Sequence, residues 1–161
     1  MRSRGFTLIE LMVTLAVLVI LVSIAIPGFW GLIQNNRVST STNEVVSALN
    51  LARSEAIRRG AEVRVTATGG DFANGWCVHT GPSCAGDAII RQHGGLQRVS
   101  LDSASVGVLV FDARGAKVTP SVRFEMTVQP DDCPADAVGR ARQLEVENTG
   151  RVSVTRVDCG S

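Results

Sequence analysis

Leu11 to Ile26 is a run of sixteen residues without a charge, softened only by Thr14 and Ser23. Counting from Phe6, the stretch FTLIELMVTLAVLVILVSIAI holds 21 residues and one charged member, Glu10. At about 1.5 Å per residue such a helix is roughly 31 Å long, enough to cross the hydrocarbon of a bilayer. The run is therefore a predicted membrane span. Arg2 and Arg4 ahead of it keep the N-terminus cytoplasmic by the positive-inside rule and send the remainder to the far side. A secretory signal also has a basic start, but its apolar core is about 7 to 15 residues and ends at a small-x-small cleavage site. Here Pro27-Gly28-Phe29-Trp30 follows instead, and a helical pattern resumes.

Glu10 is the second constraint. A carboxylate at membrane depth costs up to about 3 kcal/mol and marks a functional position with a partner. Thr7-x-x-Glu10 also fits a capping box, with Glu10 favoured by the helix dipole, and the two roles are compatible.

Past Pro27 the pattern is amphipathic. Val38, Val45, Val46, Leu49, Ala52, Ala56 and Ile57 recur at helical spacing, with Arg37, Asn43, Glu44, Arg53, Glu55, Arg58 and Arg59 mostly on the other positions. Gly60 is a natural C-cap, so one helix of roughly 80 Å is predicted from Phe6 to Arg59, kinked or locally unwound at Pro27. From Ala61 the period becomes that of strands. The predicted strands are 62–68, 75–80, 88–92, 97–101, 106–111, 122–128, 143–148 and 151–157, separated by Gly-, Pro- and Asp-rich turns. The fold class is α+β: a long kinked N-terminal helix packed on an antiparallel β-sheet domain. With 161 residues, 45% apolar and 19% charged, the chain has material for one ordinary core and is not disordered.

GFTLIELMVTLAVLVILVSIAIPGF resembles the class III signal and N-terminal helix of type IV pilins and type II secretion pseudopilins. The resemblance implies a leader, residues 1–5, cut after Gly5 by a prepilin peptidase, with Phe6 as the N-methylated new terminus. It implies a span and filament-core segment over 6–27, an amphipathic half-helix over 28–60, and a periplasmic β-rich domain over 61–161. Losing Arg2 and Arg4 takes the side-chain charge from +1 to −1. In the family Glu10 pairs with the terminal amine of a neighbouring subunit, as a desolvated carboxylate requires. NNRVSTSTNEVVSALNLARSEAIRRG, VLVFDARGAKVTP and RQLEVENTGRVSVTR are similar to three recurring blocks of the GspH/FimT group of minor pilins and pseudopilins. That narrower resemblance implies a minor subunit priming assembly at a pilus tip. Its partners would be other minor and major pilins or pseudopilins, the inner membrane and the peptidase.

Cys77, Cys84, Cys133 and Cys159 all lie past the predicted span, where an oxidising periplasm permits disulfides. Four cysteines allow three pairings, of which Cys77–Cys84 and Cys133–Cys159 are expected. The second closes a loop of about 27 residues, worth roughly 3 to 4 kcal/mol in the chain-entropy model. Cys77, His79 and Cys84 as zinc ligands match no standard spacing, so neither metal nor cofactor is expected.

No nucleophile elbow, P-loop, zinc-protease helix or dinucleotide fingerprint occurs. His79 and His93 have no carboxylate pattern suited to general-base work, and Asp131-Asp132 reads as a polar loop, so an enzyme is not expected. Double-stranded DNA is an alternative partner. Arg140, Arg142, Arg151 and Arg156 gather near the C-terminus, where DNA-uptake members of the FimT group carry Gly-Arg-x-Arg. Gly139-Arg140-Ala141-Arg142 has those letters but lies ahead of the expected hairpin, while Gly150-Arg151-Val152-Ser153 lies in it with Ser in place of the second Arg. The readings are thus a type IV minor pilin, a type II secretion pseudopilin and a DNA-binding minor pilin.

Overall fold

The computed structural model describes residues 7–103, 106–134 and 137–160. The chain divides into two compact units, Met1–Asn35 and Asn36–Ser161. Helix α1 (Leu8–Arg59) contributes to both. Its start is capped by Thr7, whose Oγ1 accepts from the Glu10 N–H at 3.2 Å, the first half of the predicted capping box. Helix runs unbroken through position 27, so of the two outcomes expected at Pro27, local unwinding does not occur. A proline deletes one intrahelical bond, which a long helix absorbs by bending. The C-terminus falls at Arg59, and Gly60 takes φ 62, the left-handed conformation that a C-cap glycine supplies.

Among the described residues of the unit from Asn36 onward, nine strands follow: β1 (Val63–Ala67), β2 (Gly75–His79), β3 (Ile89–Gly94), β4 (Val99–Asp102), β5 (Val108–Phe111), β6 (Lys117–Thr119), β7 (Phe124–Pro130), β8 (Ala141–Val146) and β9 (Val152–Val157). They form two antiparallel sheets, ordered β3-β2-β1-β5-β6 and β4-β7-β8-β9. Eight of these strands coincide with the predicted runs to within a few residues. β6 does not: it is three residues long, and Lys117 at its start reads as surface, yet is buried with its Nζ donating to the carbonyls of Pro120 and Val122.

Alternation in the strands sets the core. Phe124, Met126, Val128 and Pro130 of β7 are buried while the residues between them are half-buried. Val38, Val45, Ala48, Leu49, Ala52 and Ala56 present the apolar stripe of α1 to Val63, Val65, Trp76, Leu109 and Phe111 of one sheet and Phe124, Met126, Leu144 and Val146 of the other. Phe72 and Phe124 meet edge to face at 6.2 Å. Ile57, expected on this stripe, is 51% exposed. It sits in the last turn, beside the Asp112–Gly115 turn rather than over a sheet, and an added Cβ at Gly115 would strike its side chain.

Arg53 fastens the helix end to two turns. Its Nε donates to the Gly115 carbonyl at 3.0 Å and its Nη2 to the Thr149 carbonyl at 3.2 Å. Gly150, φ 77, passes so close to the Gly115 carbonyl that a Cβ there would overlap it.

Candidate functional site

The N-terminal segment is the first candidate. Residues 8–26 are exposed throughout, and the most apolar stretch of α1 has a mean hydropathy of 2.8 with none of it buried. A soluble core helix of that composition would be covered; this one is long and apolar enough to cross a membrane. Among the described residues the Glu10 carboxylate has no side-chain partner. An unpaired carboxylate on an apolar helix seeks a cation from outside the chain. Gly5 and Phe6, the predicted cleavage site and new terminus, lie outside the described residues.

The four C-terminal arginines are not brought together. The β8–β9 register sets Arg142 directly opposite Arg156, both on the sheet face that carries Leu144 and Val146. Arg151 precedes β9 at the other end of the hairpin, about 17 Å from Arg156 at 3.3 Å per residue. Arg142 is half-buried, and its Nη1 donates to the carbonyls of Gly139 (3.1 Å) and Ala141 (2.8 Å). Burial, and secondarily the charge of Arg156, lower its pKa. Arg140 adjoins the pair just ahead of β8, where Asp158 accepts from the Gly139 N–H at 2.7 Å. The register therefore brings together Arg142 and Arg156, with Arg140 next to them in sequence and the Asp158 carboxylate at the same end of the hairpin. Strand alternation suggested that Arg140 and Arg142 could share a face; the pairing of Arg142 with Arg156 needs the register, which sequence reasoning lacked.

Both expected disulfides are formed, Cys77–Cys84 and Cys133–Cys159, with Cα separations of 6.1 and 5.8 Å. The second ties the loop after β7 to the chain end next to Arg156. Close to the first, His79 is buried, its Nδ1 donating to the Gly81 carbonyl at 3.0 Å and its Nε2 lying 2.8 Å from Thr66 Oγ1. Desolvation pushes its pKa below 6.5, and Arg64 adds to this while the bond to Gly81 opposes it.

Residues 1–26 match the motif described as "Prokaryotic N-terminal methylation motif" and residues 41–150 the family described as "Type II transport protein GspH". A Pseudomonas aeruginosa protein named "Fimbrial protein" is 43% identical over 66 residues, which are 41% of this chain and 42% of that protein's length. Among solved structures, the P. aeruginosa type IV minor pilin FimU superposes with a TM-score of 0.64 at 22% identity, covering 74% of this chain and 89% of that one. A second crystal form of FimU gives 0.62 over 73% and 91%. These crystal structures share the fold: one long N-terminal helix on antiparallel sheets.

Proposed function

The chain belongs to the GspH family, and on that premise we propose that it is a minor subunit of a type IV pilus, priming assembly and residing at the tip. The observation that carries the proposal is the joining of a methylation motif over residues 1–26 to an exposed apolar helix whose one carboxylate has no side-chain partner among the described residues. Such a helix is stable in two places, a bilayer and a bundle of like helices, and Glu10 steers the passage between them. In the membrane its charge is costly; beside the Phe6 amine of a neighbour it is neutralised. The inner membrane would hold the subunit before assembly, with the β domain in the periplasm, after a prepilin peptidase has cut behind Gly5. The function is structural and uses no enzymatic step.

The likeness to a fimbrial protein supports a pilus, and the family's description as a type II transport protein supports the second reading, a secretion pseudopilin. The adjoining Arg140, Arg142 and Arg156 support a third role alongside either, contact with DNA phosphates.

The test is made in cells lacking the native gene. Gly5→Val is expected to leave unprocessed chain in the membrane, and Glu10→Gln to permit processing while cutting surface piliation. Processing of Gly5→Val to a Phe6 terminus refutes the leader assignment. Normal piliation with Glu10→Gln reduces Glu10 to a helix cap. Loss of exoprotein secretion with intact pili selects the pseudopilin.

A further inference from the structure

Among the described residues the aromatic side chains fall in two places. Phe72, Trp76, Phe111 and Phe124 are buried in the core. The exposed ones are two neighbours on α1, Phe29 at 65% and Trp30 at 53%. They stand at a border in composition: Leu32 and Ile33 are still apolar and exposed, and Gln34-Asn35-Asn36-Arg37 follows. The indole has an apolar body and one N–H donor, so it is most stable where hydrocarbon gives way to headgroups and water, and tryptophan gathers at that level in membrane proteins.

Length fixes what lies at the other edge. Trp30 is twenty positions past Glu10 on α1, about 30 Å along the helix, which is the thickness of the hydrocarbon. Residues 11–29 between them carry no charge. Leu32 and Ile33 lie within about 5 Å beyond Trp30, inside the depth of a headgroup layer. Side chains that prefer the interface, rather than apolar length alone, set the level at which such a helix rests. We propose that Phe29 and Trp30 are an interfacial anchor, seating the span with Trp30 at the periplasmic edge of the hydrocarbon and Glu10 at the cytoplasmic edge. The proposal rests on the reading of the chain as a pilin subunit held in the inner membrane before assembly. Its consequence is that the Glu10 carboxylate waits not at the bilayer centre, where a charge costs most, but at the level where water and the terminal amine of a neighbour can both reach it.

The experiment is tryptophan fluorescence of the full chain in phosphatidylcholine vesicles whose acyl chains carry bromine, a contact quencher, either near the headgroup or near the chain ends. Trp76, the other tryptophan, is buried in the core and gives a constant background, so the parent minus Trp30→Phe isolates Trp30. Ile20→Trp made in Trp30→Phe, with the same background subtracted, reports the midpoint between Glu10 and Trp30. All three substitutions fall on exposed helix, and circular dichroism verifies the fold. The expected result is that shallow bromines quench Trp30 more than deep ones, with the order reversed at position 20. Any other pattern overturns the anchor, and the midpoint shows which claim has failed. With position 20 quenched by deep bromines, the span stands and the anchor alone is lost; with position 20 untouched by them, the span is lost as well.

Discussion

Gly150→Ala isolates how the helix end is held. The backbone there has φ 77, and an alanine in the left-handed region costs about 1–2 kcal/mol. Gly60→Ala meets the same cost at φ 62 but with nothing within 4 Å of the added carbon. At Gly150 the new Cβ overlaps the Gly115 carbonyl and lies 3.0 Å from Arg53 Nε. The Glu147–Gly150 turn must move away, and the two bonds from Arg53 to Gly115 and Thr149 are stretched or broken. A hydrogen bond from a charged donor contributes about 1.5–3 kcal/mol; the Nη2 bond is exposed and counts at the low end or below. Gly150→Ala should therefore cost about 3–5 kcal/mol against about 1–2 for Gly60→Ala. The assay is urea unfolding of a soluble fragment beginning near Gly31, followed by the fluorescence of the buried Trp76. Equal losses for the two variants refute the reasoning, because they leave only the backbone strain that both share.

Removing Cys133–Cys159 by a double Cys→Ser change should cost about 3.5 kcal/mol and removing Cys77–Cys84 about 2.5, from the loops they close, with the same unfolding assay checking the order. His79 gives the fold an acid limb. Its folded pKa lies below the ordinary 6.5, so between the two values the unfolded chain holds more protons; its contribution is full above 6.5 and is lost as pH falls below it, by at most about 1.4 kcal/mol per pH unit, and His79→Gln should flatten that limb in denaturation measured from pH 7 to 5. If the arginines bind duplex DNA, Arg156→Gln and Arg140→Gln should weaken binding in an anisotropy titration and lower the salt slope by about 0.9 for each phosphate left without its arginine, whereas Arg151→Gln, at the far end of the hairpin, should change little; no binding by the parent removes the DNA role.

Much was legible in the residues because it rests on local rules. An apolar run of 21 residues with one charge, as long as a bilayer is thick, reads as a span or as a helix among like helices. The apolar stripe from Val38 to Ala56 and the alternation of β7 declare which face is inward, since period and burial are the same fact seen twice. Gly60 ended the helix where a left-handed residue was needed. Short strands such as β6 escaped because three residues carry no period, and the buried Lys117 argued against them. What only the tertiary structure decided are the encounters between elements remote in sequence. The division of the described strands into two sheets, the reach of Arg53 to two turns, and the meeting of Glu44 with His93 over Trp76 depend on long-range pairing, while the register that faces Arg142 with Arg156 and removes Arg151 depends on where the turn of the β8–β9 hairpin falls. Long-range pairing is set by how whole faces fit together, and no short window of the sequence contains both partners.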